Sequence, residues 1–219
     1  MGRPLAVDAS RRPRSAAHHG AVYRLARAGG TWRLETRDAT ITADRVVVAA
    51  GAWSPSVVAG LGVRLPVQSA RGCSLTSAGS GTPPRRAVKL LEAQVACSPV
   101  DGAVRLSGTF DLTRADARLS PRRLPAVLRA AQPYFREWQP DLTRGIAWSG
   151  LRPATPDGLP FVGPVPGHGG LFVATGHGTL GITLAPVTAC AVRDMVIFDR
   201  LPDAFTACAV DRFERTRHR

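Results

Sequence analysis

Lysine is almost missing from these 219 residues: Lys89 is the one lysine among 29 basic side chains, so arginine carries nearly all of a formal net charge of +13. A charge of that size ordinarily points to nucleic acid or an anionic surface. The arginines, however, are scattered instead of ranged in a stripe between aromatics, which make up only 6% of the chain. A solvated basic face is therefore the favoured reading, and no nucleic-acid partner is expected. Cysteine is scarce too. Cys73, Cys97, Cys190 and Cys208 lack C-x-x-C or metal-ligand spacing and follow no signal peptide, so they read as buried thiols in a reducing compartment. His18, His19, His168 and His218 are dispersed and suggest no metal site. No apolar run reaches the ~20 residues of a spanning helix. The expectation is a cytoplasmic protein, peripheral to the inner membrane at most.

Apolar residues at 44% of the chain are enough for one large or two small domains with a core. The densest signal lies between Trp148 and Pro186. Leu171 to Thr175 (LFVAT) reads as a short buried parallel strand, and Leu180 to Phe198 has the length and spacing of a helix. Between them Gly176, Gly178 and Gly181 spell G-x-G-x-x-G. A dinucleotide fingerprint would need a further parallel strand with an acidic end about 20 residues on. Here the helix instead runs into Leu201-Pro202 and the basic tail DRFERTRHR. The favoured reading is a helix N-terminus that faces an electron-rich group with its amides and its positive dipole end. The alternative is a tight turn whose glycines serve only packing.

Upstream, residues 1–19 form a basic, proline-containing leader without periodicity, expected to be disordered. Alternation over Ala21–Arg27, Thr31–Thr36 and Thr40–Thr42 predicts an antiparallel meander, and Arg45–Ala50 (RVVVAA) a second buried parallel strand. Ser54-Pro55 reads as an N-cap with proline at the first position of a helix ending near Leu61. From Leu65 to Phe110 strand-like runs predict an antiparallel sheet. Pro121 to Phe135 predicts an amphipathic helix with Leu124, Val127, Leu128 and Ala131 on one face. Trp53 and Trp148 read as packing residues and Asp157, in TPDG, as a structural turn residue.

ADRVVVAAGAWSP (43–55), LPVQSARGCSLT (65–76), WSGLRPATPDGLPFVG (148–163) and GHGTLGITLAP (176–186), followed by PDAFTACAVDRF (202–213), stand in an order that resembles the FAD-dependent D-amino-acid oxidase/dehydrogenase family. D-amino-acid dehydrogenases and glycine-oxidase-like enzymes are the most similar. The resemblance implies an α/β plus α+β fold. Residues 20–63 and 144–213 would be a partial FAD-binding domain of the Rossmann-like, glutathione-reductase type. An antiparallel-sheet substrate domain with one helix would be inserted over 64–143. Such enzymes open with a βαβ unit that holds the FAD pyrophosphate. This chain shows none, which implies a truncated or split form whose nucleotide-binding half comes from a second chain. An inactive remnant is one alternative, and a basic anion-binding module another.

By the same resemblance the cofactor is FAD. Gly176, His177, Gly178, Thr179, Leu180, Gly181, Ile182 and Thr183 would line the pyrimidine side of its isoalloxazine. Flavin reduction leaves negative charge there, which helix-terminal amides stabilise. Ala50 and Gly51 would approach the cofactor where a side chain could not fit, and Val22 would meet the adenine side through its backbone. Arg152 would hold the carboxylate of a small amino-acid substrate, since guanidinium offers a planar bidentate partner that is always charged. The resemblance implies hydride transfer from substrate Cα to flavin N5, after which the imino acid would hydrolyse to a keto acid and ammonia. No catalytic side chain and no metal ligand is implied. Cys73 stands where the family often has tyrosine, which would weaken a polar contact to the substrate.

Overall fold

Residues 16–119, 121–141 and 143–215 are described by the computed structural model. The leader expected over 1–19 falls, for residues 1–15, outside the described residues. The meander forms as its alternation predicts. β1 (Arg24–Ala28), β2 (Thr31–Glu35) and β3 (Thr40–Ala43) pair antiparallel, with Arg27 opposite Trp32 and Leu34 opposite Ile41. Leu25 and Trp32 turn inward, and the Trp32 indole N–H donates to Gly169 O at 3.1 Å.

β4 (Val46–Val48) is the short β-branched run RVVVAA reduced to its hydrogen-bonded centre. A helical stretch follows as a 3-10 turn (Gly51–Trp53), α1 (Ser54–Val58) and a second 3-10 turn (Ala59–Leu61). Here the expected cap moves. Trp53 takes the N-cap position, and Ser54 lies inside α1, fully buried with its hydroxyl lacking a partner. Pro55 keeps its place in the first turn, where its missing N–H costs nothing.

The long strand β5 (Gln68–Ser77) is the spine of the antiparallel sheet. β6 (Ser80–Gly81) leaves it to pair with β11 (Trp138–Gln139). β7 (Val88–Leu90), β8 (Val95–Val100) and β9 (Ala103–Ser107) run outward in the order β5-β9-β8-β7, and β10 (Asp111–Leu112) pairs with the front half of β5. α2 (Arg123–Ala131) packs across this sheet. Leu124, Val127, Leu128 and Ala131 are its buried face, as the 3.6-residue period predicts, against Leu75, Val104 and Leu106. β11 (Trp138–Gln139) closes that core with the buried Trp138.

β12 (Ile146–Ala154) lies just after the boundary expected at 143/144. It pairs with β5 over nine residues, Ile146 opposite Thr76 through Ala154 opposite Gln68, so the segment assigned to the FAD-binding part belongs by hydrogen bonding to the large sheet. The chain then turns into β13 (Phe161–Pro164) and β14 (Leu171–Thr175). β14 pairs antiparallel with β13 and parallel with β4, Leu171 opposite Val46. The two strands read as parallel from their apolar runs are thus neighbours, with Val46, Val48, Phe161, Leu171 and Val173 in one core.

α3 (Gly181–Phe198) starts one residue later than its apolar pattern. Its 18 residues and mean hydropathy of 1.5 reach the length and composition of a membrane-crossing helix. One stripe is nonetheless committed to protein: Ala191 and Met195 pack with Val162 and Phe172, and the buried Asp194 is held by Arg193 and Arg200. The closing helical turn is α4 (Arg212–Arg215). Cys73, Cys97 and Cys208 are buried free thiols, whereas Cys190, expected buried, is exposed on α3.

Candidate functional site

The carboxyl ends of β4 and β14 lie side by side because the two strands pair parallel, and in open α/β sheets this is the edge where ligands sit. Ala50 and Gly51 leave β4 there, and Gly176 leaves β14. The Thr175 hydroxyl donates to Gly51 O at 2.9 Å and locks the two exits together. Gly51 has φ +56 with open space beside its Cα, so the backbone conformation, not crowding, demands glycine. A cavity of about 580 Å³ opens on the β4 side of this edge, lined by Val22, Tyr23, Ala50 and Trp53 among others. Val22 and Ala50, far apart in sequence, thereby share one wall.

The glycine turn is anchored to β12. Gly178 N–H donates to Pro153 O at 2.9 Å, one residue from Arg152. Gly176 has φ +84, and a Cβ there would lie 2.6 Å from Thr155 Cγ2. The Leu180 amide closes the turn on His177 O. Gly181, Ile182 and Thr183 head α3, where a helix offers its amides no carbonyl. So of the segment 177–183, those three carry the outward donors, while Gly178 and Leu180 spend theirs on the turn. A second cavity, about 320 Å³, lies between this turn and the large sheet, walled by Thr155, Gly176, His177, Leu180, Phe110 and Leu112.

Arg152 is half-buried on β12 and its Nη1 donates to Thr109 O at 3.2 Å. Cys73 is on the other face of the sheet. It pairs with Ser149, out of phase with Arg152, and its thiol is sealed in the core behind α2. The contact attributed to that position is therefore out of reach of its side chain. The His177 ring is partly buried, with Nε2 3.0 Å from Thr188 Oγ1, and burial pushes its pKa down, so the imidazole is neutral near pH 7. The local positive potential comes from the helix start and Arg152. Trp53 and Trp148, expected to be packed, are each about half exposed, at 50% and 54%.

One support of the site left no mark in spacing. Arg212 reaches back to Asp157 with Nε–Oδ2 2.8 Å and Nη2–Oδ1 3.0 Å, and also donates to Leu159 O at 2.8 Å. Its guanidinium sits 3.8 Å from the Phe161 ring centroid. This clasp holds Asp157 well below the usual carboxylate range and fixes the loop on which Gly176 rests.

D-amino acid dehydrogenase from Xylella fastidiosa (strain M12) is 39% identical over 156 residues, covering 70% of this chain and 35% of that protein. D-amino acid dehydrogenase from Cereibacter sphaeroides (strain ATCC 17029 / ATH 2.4.9) is 38% identical over 178 residues, covering 80% and 40%. Among solved structures, glycine oxidase from Geobacillus kaustophilus superposes with a TM-score of 0.69 at 31% identity, over 88% of this chain and 52% of that one. The chain thus spans about two-fifths or less of the length of these curated relatives. The FAD dependent oxidoreductase (DAO) family matches residues 9–195, a span that includes both strand exits, the Arg152 strand and the glycine turn. The chain belongs to that family of FAD-dependent oxidoreductases.

Proposed function

We propose that this chain provides the flavin-ring and substrate-facing part of an enzyme that oxidises the CH–NH2 group of a D-amino acid, or a glycine-like amine, to the imino acid. The observation that carries the reading is the hydrogen bond from Gly178 N–H to Pro153 O, which puts a helix N-terminus and a carboxylate-seeking arginine on either side of one peptide. The residues present fit a flavin: an open strand-end edge with Gly51 at positive φ, outward amides at Gly181 to Thr183, and an apolar wall.

Bound FAD would supply the two-electron acceptor for the substrate's Cα–H. Arg152 orients the substrate by its carboxylate, so that the amine-bearing carbon faces the glycine turn. The amides heading α3 would hold the electron-rich side of the ring and stabilise negative charge there without moving a proton. Phe110, Leu112 and Leu180 give the cavity an apolar wall, and a bound ligand covering it would strengthen both interactions. Neutral His177 takes no proton role, since its ring faces Thr188.

Among the described residues β4 is an edge strand, and its apolar flank opens on the 580 Å³ cavity. That supports a partner segment that adds a parallel strand beside Val46–Val48 and carries the nucleotide-binding part of the site, in the same polypeptide or in a second one. The test is the visible spectrum of the protein with FAD under anaerobic conditions. A perturbed flavin band that bleaches with a D-amino acid, and in Arg152→Met persists without bleaching, is the expected result. A bound flavin indifferent to every amine offered would overturn the substrate reading. Absence of bound flavin in folded protein would overturn flavin binding by this chain alone.

A further inference from the structure

The sheet that carries Arg152 departs from regular pairing at one place. β5 pairs with β9 through Ser74 and Ser107, and with β10 through Arg71 and Asp111. Two β5 residues, 72 and 73, therefore face three, 108 to 110, which is a β-bulge with one residue extra. Thr109 is the middle of it, and its hydroxyl and carbonyl are both used. Its hydroxyl accepts the Cys73 N–H at 2.7 Å, replacing the lost ladder bond, and its carbonyl accepts Arg152 Nη1 at 3.2 Å. The next residue, Phe110, lines the cavity beside the glycine turn.

A second oddity meets the first. Gly72 and Gly150 lie directly opposite each other on β5 and β12. A Cβ on Gly72 would overlap Nη1 and Cζ of Arg152, and one on Gly150 would overlap the Trp148 ring. Arg152 thus folds back along the sheet until its guanidinium lies flat on bare backbone. Gly72 has no positive φ, so alanine there is compatible with the backbone, and the flexible end of Arg152 is what must give way.

We propose that Gly72 and Thr109 are positioning residues for the carboxylate site: Gly72 provides the bed for the Arg152 guanidinium and the Thr109 bulge fixes its rotation by taking one donor. The guanidinium is thus fixed before substrate arrives, which lowers the ordering cost of binding. The proposal rests on the reading of Arg152 as the group that holds the carboxylate.

The test reads the guanidinium directly. In protein labelled with 15N-arginine, the Nη resonances of Arg152, assigned by their loss in Arg152→Lys, should be separately resolved through hindered rotation. Gly72→Ala should average them while leaving the unfolding midpoint unchanged or raised. Thr109→Val should average them too, and Thr109→Ser, which keeps the hydroxyl, should restore them. Pyruvate, a carboxylate with no amine to oxidise, should bind about 10- to 100-fold more weakly to Gly72→Ala, the span expected for losing well-oriented hydrogen bonds to a charged group. If the wild-type resonances are already averaged, or if Gly72→Ala keeps both the resonances and the pyruvate affinity within twofold, the proposal is overturned. Should Gly72→Ala not fold, the Thr109→Val and Thr109→Ser pair decides by the same resonances. Wild-type protein that holds Arg152 rigidly yet binds no pyruvate would overturn the carboxylate reading and leave the positioning standing.

Discussion

Replacing Arg212 by methionine should loosen the C-terminal segment from the loop beneath the glycine turn, and the structure supplies the magnitude. The guanidinium makes a two-point contact with Asp157 at 2.8 and 3.0 Å, donates to Leu159 O at 2.8 Å, and is 12% exposed at its side chain against 32% for Asp157. Hydrogen bonds to charged groups are worth about 1.5–3 kcal/mol, and breaking a fully buried pair costs about 3–5 kcal/mol. Asp157 can be rehydrated, which places the loss of its partner at the lower end, and the lost contact with the Phe161 face adds about 0.5–1 kcal/mol. The sum is about 3–4 kcal/mol, or about 6–16 °C in midpoint for a chain of this size. Asp157→Asn keeps an acceptor and should cost only about 1–2 kcal/mol. Urea unfolding of both single variants and the double variant gives the coupling, expected to be at least 1 kcal/mol. Because Arg212 depresses the Asp157 pKa, the clasp contributes fully above the unfolded value near pH 4 and is lost as pH falls through the lower folded value. An Arg212→Met cost under 1 kcal/mol, or a coupling near zero, would refute the reasoning.

Gly176→Ala should destabilise by about 2–4 kcal/mol in urea, since it adds the left-handed penalty at φ +84 to a collision with Thr155 Cγ2. Gly181→Ala, the third glycine of the same motif, has no positive φ and 3.7 Å to His177 Cβ, and should move the midpoint by less than about 0.5 kcal/mol. His177 is held neutral by burial, so the unfolded chain binds more protons below about pH 6.5 and stability should fall as pH drops through that window. His177→Gln should flatten that part of the stability–pH profile, and an unchanged slope would count against it.

Legibility from sequence followed periodicity. β14 was readable to the residue because LFVAT is a continuous apolar run closed by glycines, and the buried face of α2 was readable because four apolar residues repeat at helical spacing. Ser54 was misread because capping residues signal a helix start only when the first turn is regular, and here a 3-10 turn enters α1 one residue earlier. The pairing of β12 was not readable, because its partner β5 lies some 80 residues upstream, a non-local pairing that no local pattern encodes. The same limit applies to the site. Arg152 and the turn at 176–183 were proposed from motif segments, but Gly72, Thr109 and Arg212 make contacts 43 to 80 residues away in sequence or work through the absence of a side chain.

Register is what joins these parts into one site. β12 alternates faces with every residue, so Arg152 reaches the Gly72 bed only in the pairing that sets Gly150 opposite Gly72. A slip of one residue would send Arg152 toward the α2 core, and a slip of two would carry it about 7 Å along the strand, beyond the Thr109 carbonyl. The same register delivers Pro153 O to Gly178 N–H. On the opposite edge of β5 the bulge at 108–110 is held by the Thr109 hydroxyl, which accepts the Cys73 N–H in place of a ladder carbonyl. One sheet register therefore sets both the orientation of the arginine and the height of the glycine turn above it. A change that lengthens β12 by a residue should damage carboxylate binding and the flavin-facing turn together, even though it touches neither directly.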